Sequence, residues 1–181
     1  MCRAGESALY YIKSKFFGVK EIFIMAKATV KEETKVIEME NKIEKMTKFL
    51  EENKIECFDV QKIEDTQHTT IFRSRMEVKG QLLPMALLMD DSVYVMLQVQ
   101  IAPQVIDEAK LKDFAGAINN MNNNVRPFKF TVSEKGDLML NACITAENNT
   151  FNPALTNAIM AEAVKFLEAQ YGNIMEAVWA K

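Results

Sequence analysis

Histidine, cysteine and glycine are all scarce in this chain, and each scarcity removes a class of chemistry. A single histidine, His68, stands in the polar stretch Asp65-Thr66-Gln67-His68-Thr69. One imidazole and three cysteines, Cys2, Cys57 and Cys143, spread over 181 residues give no ligand spacing for zinc. The odd cysteine count and wide spacing also give no disulfide framework, and reduced thiols fit a reducing cytoplasm. A Cys–His nucleophile pair would need an activated thiolate beside His68. Cys57 and Cys143 fall on expected strands, where half-buried, inert thiols are the rule. Among six glycines there is no GxGxxG, no phosphate-binding loop of the Walker type and no GxSxG. No run reaches the roughly 18 apolar residues that a membrane-spanning helix needs.

Strong charge of either sign is also missing. The net charge is −3, so nothing resembles the basic footprint of a nucleic-acid binder. The row Arg73, Arg75 and Lys79, with Lys129, lacks interleaved aromatics, and it reads as a charged solvent face or a rim for a protein partner. Asp90-Asp91 reads as a solvated turn before it reads as an acid/base pair. Catalytic, cofactor-binding and metal-binding residues are therefore expected to be none, and the chain is not expected to be an enzyme.

What the chain does contain is an ordinary globular profile, with 49% hydrophobic and 26% charged residues. Twelve methionines suit irregular cores first and adaptable binding surfaces second. Residues 8–25 are apolar in patches, but Lys13, Lys15 and Lys20 interrupt every run, unlike a secretory signal. Lys20-Glu21 can be encoded as AAG-GAG, which lies about nine nucleotides before the Met25 codon and reads as a ribosome-binding site. Residues 1–24 are thus expected to be a mis-called, disordered extension, with residues 25–181 forming one domain.

Within 31–54, Val36, Met39, Ile43, Met46 and Leu50 form an apolar helical stripe. Glu38–Lys42 and Glu44–Lys48 are paired across one turn, and Asn53 is the expected C-cap. Residues 55–63 read as a weak first strand. In 69–79, Phe72, Met76 and Val78 alternate with Arg73, Arg75, Glu77 and Lys79, as in a half-buried antiparallel strand. A turn at Gly80-Gln81 leads into 82–89, where Pro84 implies an edge or a bulge. Asp90-Asp91 then turns the chain into 92–101, with Val93, Val95, Leu97, Val99 and Ile101 on one face.

Residues 104–124 return to helical spacing, with Asp107 and Glu108 favouring the N-terminus and Asn122-Asn123-Asn124 ending it. A hairpin of 127–133 and 138–145 follows. The last helix opens at Asn152-Pro153, and Gly172 is the expected break or kink. The fold class is α+β: an antiparallel sheet with helices packed on it, in the order α-β-β-β-(β)-α-β-β-α.

That order resembles the YbjN family, which shares the fold of type III secretion chaperones. The resemblance rests on the N-terminal amphipathic helix, the aliphatic hairpin 82–101, and a helix ending in INNMNNN (118–124). It continues through the strand FKF (128–130), EKGDLML (134–140) and the final helix, and covers roughly 35–175. It implies a frequently dimeric fold with grooves for extended polypeptide, in proteins described as bacterial sensory transduction regulators. No catalytic residue carries over. The chain departs from a secretion chaperone in its weak acidity.

The expected function is a non-catalytic protein-binding module, chaperone-like or regulatory, cytoplasmic and homodimeric. No nucleic-acid or membrane partner and no cofactor is expected. The expected binding surface is Leu83, Met85, Leu87, Tyr94, Met96, Leu111 and Phe114. The alternative is a small-ligand sensing domain that regulates another protein, with a pocket lined by Phe128, Phe130 and Met139.

Overall fold

A computed structural model describes residues 41–123 and 125–179. The expectation for residues 1–24, together with Val36, Met39 and Glu38, lies outside the described residues. The first described helix, α1, spans Lys42–Glu52 and starts on a reciprocal capping box. The Asn41 side chain accepts from the Glu44 N–H at 2.9 Å, and Glu44 accepts from the Asn41 N–H at 3.0 Å. Asn53 ends the helix as expected, its own N–H returning to the Phe49 carbonyl at 3.1 Å.

Six strands follow in one antiparallel sheet: β1 (Asp59–Lys62), β2 (Thr70–Val78), β3 (Gln81–Met89), β4 (Tyr94–Ala102), β5 (Lys129–Val132) and β6 (Leu138–Thr145). Their spatial order is β1-β2-β3-β4-β6-β5. Helix α2 (Glu108–Asn123) connects β4 to β5, and α3 (Pro153–Trp179) closes the chain. The expected α+β class and element order are thus present.

Several boundaries differ from the sequence reading. The first strand shrinks to four exposed residues, because its ladder with β2 begins only at Asp59, while Ile55 and Phe58 before it pack against the core. The turn before β3 is Lys79-Gly80, not Gly80-Gln81. Both residues have positive φ, at 49° and 76°, as a two-residue type I′ hairpin requires. Val93 sits in the loop and is exposed. Gly172 does not break the last helix, which continues to Trp179 with Ile174 and Val178 on its buried face.

Pro84 lies in an interior strand, and the ladder explains how. Val78 and Gln81 flank the two-residue loop, so they form a hydrogen-bonded pair. Alternation then makes Arg75↔Pro84 a non-hydrogen-bonded pair, which turns the missing N–H away from β2. On that other side the β3–β4 ladder begins only at Met85. Pro84 is therefore at a local edge, as expected from its chemistry.

Alternation divides the sheet into two unlike faces. Phe72, Met76, Leu87, Val95, Leu97 and Leu140 are among the side chains buried on one face. The core of that face is closed by Met46 and Leu50 of α1, Phe114 of α2, and Met160, Leu167 and Ile174 of α3.

Candidate functional site

The second face of the sheet is the candidate site. Directly paired residues share a face, so the register specifies its members. Ile71, Arg73, Arg75 and Glu77 come from β2, and Leu82, Pro84, Ala86 and Leu88 from β3. Tyr94, Met96, Gln98 and Gln100 come from β4, opposite Met139, Asn141 and Cys143 of β6. Leu82 is 59% and Tyr94 48% exposed. Ile71, Leu88, Met96 and Met139 are half-buried, and none packs against the core. Among the described residues, no helix covers this face. The result is an apolar centre flanked by arginines on β2 and by carboxamides on β4 and β6.

The residues expected to form a binding surface separate onto different parts of the molecule. Leu83, Met85 and Leu87 are buried on the core face, because a strand sends alternate side chains to opposite sides. Phe114 is buried as well, at 4% exposure. Tyr94 and Met96 lie on the outer face. Leu111 is 42% exposed on α2, away from the sheet. The residues that sequence reasoning missed are Leu82, Ala86 and Leu88, the opposite parity of the same apolar run. Nothing in 82–89 marks which parity faces inward; only the pairing with Phe72 and Met76 does.

Both cysteines with described positions, Cys57 and Cys143, are exposed, contrary to the half-buried expectation. Cys57 precedes β1, and Cys143 points to the outer face. Lys129 does not join the arginine row, since three strands separate β2 from β5.

A second feature is a cleft of about 300 Å³ between α2, β5 and α3. Phe130, Phe166, Met121 and Ile174 line it, with Asn120, Gln170 and Asn173 as its polar groups. None of its lining residues is ionisable. Of the expected pocket residues only Phe130 is here. Phe128 is buried against Phe166, with ring centroids 5.5 Å apart, and Met139 belongs to the outer face.

Asn122 secures the wall of this cleft. Its Oδ1 accepts from the Phe130 N–H at 2.7 Å, and its Nδ2 donates to the Phe130 carbonyl at 3.1 Å. The amide thereby imitates a neighbouring strand and closes the β5 edge. Lys129 reinforces the closure, its Nζ donating to the Asn122 and Val125 carbonyls at 2.8 and 2.9 Å.

Lys42, Asp65 and His68 gather at one end of the sheet. Lys42 is only 1% exposed. Its Nζ donates to the Ser92 and Tyr94 carbonyls, the latter at 2.8 Å, and lies 4.0 Å from Asp90. Burial pushes its pKa down, while Asp90 and Asp91 oppose the shift. His68 Nδ1 meets Asp91 Oδ2 at 2.6 Å, and this hydrogen bond and charge hold the imidazole pKa above its ordinary value. Hydrogen bonds from Thr69, first from its hydroxyl, hold Asp65 below the usual carboxylate range. His68 thus pairs with a carboxylate and ties the β1–β2 loop to the β3–β4 loop. This network works as a structural clasp.

Among the described residues, no group of three or more His, Cys, Asp or Glu side chains is placed to hold a metal ion, and no helix is long and apolar enough to cross a membrane. No protein-family model matches the sequence, and no curated protein is similar to it.

Proposed function

We propose that this chain is a non-catalytic, cytoplasmic protein-binding module, chaperone-like or regulatory, that works as a homodimer. The resemblance to YbjN-like regulators supports it at the level of element order. The observation that carries it is the outer sheet face, where Leu82, Pro84, Ala86 and Leu88 of β3 join the apolar row Ile71, Leu88, Met96 and Cys143. Soluble monomers rarely leave a contiguous apolar patch of more than a few hundred Å² in water. The arginines at one flank give such a surface orientation more than affinity.

The test is to purify the tagged full chain from its native cell and examine the eluate by light scattering and mass spectrometry. A dimer, with or without a stoichiometric second protein, is the expected result. A partner-free monomer at all concentrations overturns the reading.

The cleft between α2 and α3 favours a second reading, a small-ligand sensing domain that regulates another protein. Its volume and uncharged, mostly apolar lining suit a neutral small molecule. Thermal-shift screening with uncharged compounds tests it. Stabilisation lost in Ala177→Trp, which fills the cleft, is the expected result, and no response from any compound counts against it.

A further inference from the structure

We propose that a second copy of the chain covers the outer sheet face, related by a twofold axis that runs parallel to the strands between β3 and β4. The inference rests on the protein-binding reading above and gives that surface its occupant. Six strands in the order β1-β2-β3-β4-β6-β5 place three on each side of this axis. The rotation therefore lays β2 over β6 of the second copy and β3 over its β4, while β1 meets its β5 at the row of Asp59 and Lys129, from which the two edge strands run to opposite ends of the sheet.

The side-chain rows make the match self-complementary. One transverse row reads Asp59, Arg73, Ala86, Gln98, Asn141, Lys129 from edge to edge, by direct cross-strand partners throughout. Reversing it sets Asp59 against Lys129 of the second copy and Arg73 against Asn141. Among the described residues Asp59 has no ion-pair partner. Lys129 uses two of its three ammonium donors on the Asn122 and Val125 carbonyls, leaving one for a carboxylate.

Another row, Ile71, Leu88, Met96 and Cys143, reverses to put Leu88 on Met96 on both sides of the axis. An axis perpendicular to the strands would instead stack β1 on β1 and β5 on β5, which keeps Asp59 and Lys129 apart, so this pair selects the parallel axis.

The area fits a weak dimer. Strands spaced about 4.8 Å apart, rising about 3.3 Å per residue, give roughly 500 Å² per copy for the residues that face one another. Both copies together bury roughly 1,000 Å², below the about 1,200–2,000 Å² of stable interfaces and typical of transient ones. Stacked sheets of this kind pack with strands within about 30° of each other.

The test is sedimentation equilibrium of the full chain beside four variants, with circular dichroism as a control for folding. The expected result is a dimer that Leu88→Lys converts to monomer. Asp59→Lys and Lys129→Asp each raise the dissociation constant by about tenfold, since like charges then oppose one another. The double variant returns to within about threefold of the parent, because the pair is re-formed with its signs exchanged. Loss of the Lys129 contacts to α2 would persist in the double variant, so restoration identifies the intermolecular pair. Asp59 and Lys129 are exposed, so these arms stand even if Leu88→Lys fails to fold. A monomer overturns the inference together with the homodimer reading. A dimer indifferent to Leu88→Lys, or charge variants without rescue, overturns the inference and leaves protein binding at another surface in place.

Discussion

Lys42 shows how one residue joins three segments. From the first turn of α1 it reaches the β3–β4 loop through its ammonium, and its backbone N–H donates to Asn148 Oδ1 at 3.2 Å. Lys45 repeats the link to the β6–α3 loop, donating to the Asn148 carbonyl at 2.6 Å. Lys42→Met keeps most of the apolar volume but leaves the Ser92 and Tyr94 carbonyls without their donor. It should cost about 1–3 kcal/mol, the desolvation penalty of buried acceptors, measured as a lower urea midpoint at unchanged slope.

His68 acts on the same loop through charge, and its effect depends on pH. Its pKa is raised in the folded state by Asp91. The folded chain therefore binds the proton more tightly, and the stabilisation is fully present below the ordinary imidazole pKa. It is lost as pH rises through the raised value. His68→Gln should flatten melting temperature over that interval while leaving the alkaline plateau in place. An unchanged pH profile would show that the His68–Asp91 contact contributes nothing. In the sequence His68 and Asp91 are 23 residues apart, and no local pattern joins them; the register of β2 against β3 does.

At the scale of the element, Asn122 gives α2 a task that composition does not suggest. The Asn run was legible as a helix end, because asparagine tolerates the conformations found there. That one of these amides would close the β5 edge was not legible, since it depends on the helix crossing back over the sheet. Asn122→Ala exposes the Phe130 N–H and carbonyl at the edge. It should cost about 1–2 kcal/mol for two lost hydrogen bonds and raise the tendency to associate through β5, read as light scattering on concentration. Equal stability in the two proteins would show the edge is closed by other contacts.

The Lys79-Gly80 hairpin makes a converse case. Lys79 holds a positive φ of 49°, which asparagine tolerates better. Lys79→Asn should stabilise by roughly 0.5–1 kcal/mol in chemical denaturation. The sequence announced a turn here through Gly80. It did not announce which residue preceded it in the loop, because Gly80-Gln81 and Lys79-Gly80 both contain the glycine.

At the scale of the whole molecule, alternation and helical spacing were enough to read the class and the order of elements, since both are local patterns. The orientation of 82–89 was not, because both parities are apolar and the choice belongs to the neighbouring strands. The candidate site inherited that ambiguity: Tyr94 and Met96 lie on the outer face, while Leu83, Met85 and Leu87 were exchanged with Leu82, Ala86 and Leu88.

The same architecture predicts a gradient of local stability. Strands β3, β4 and β6 are central and bury Leu87, Leu97 and Leu140 at 0–1% exposure. Strand β1 is exposed at all four residues, and α2 buries only Phe114 deeply. Backbone amides of β3, β4 and β6 should exchange with solvent only through global opening, while those of β1 and α2 should exchange through local opening at lower free energy. Hydrogen exchange followed by mass spectrometry or NMR checks this. If α2 proved as protected as β4, its few buried contacts would not be what fixes it, and the Asn122 closure would have to carry more of the helix than its two hydrogen bonds supply.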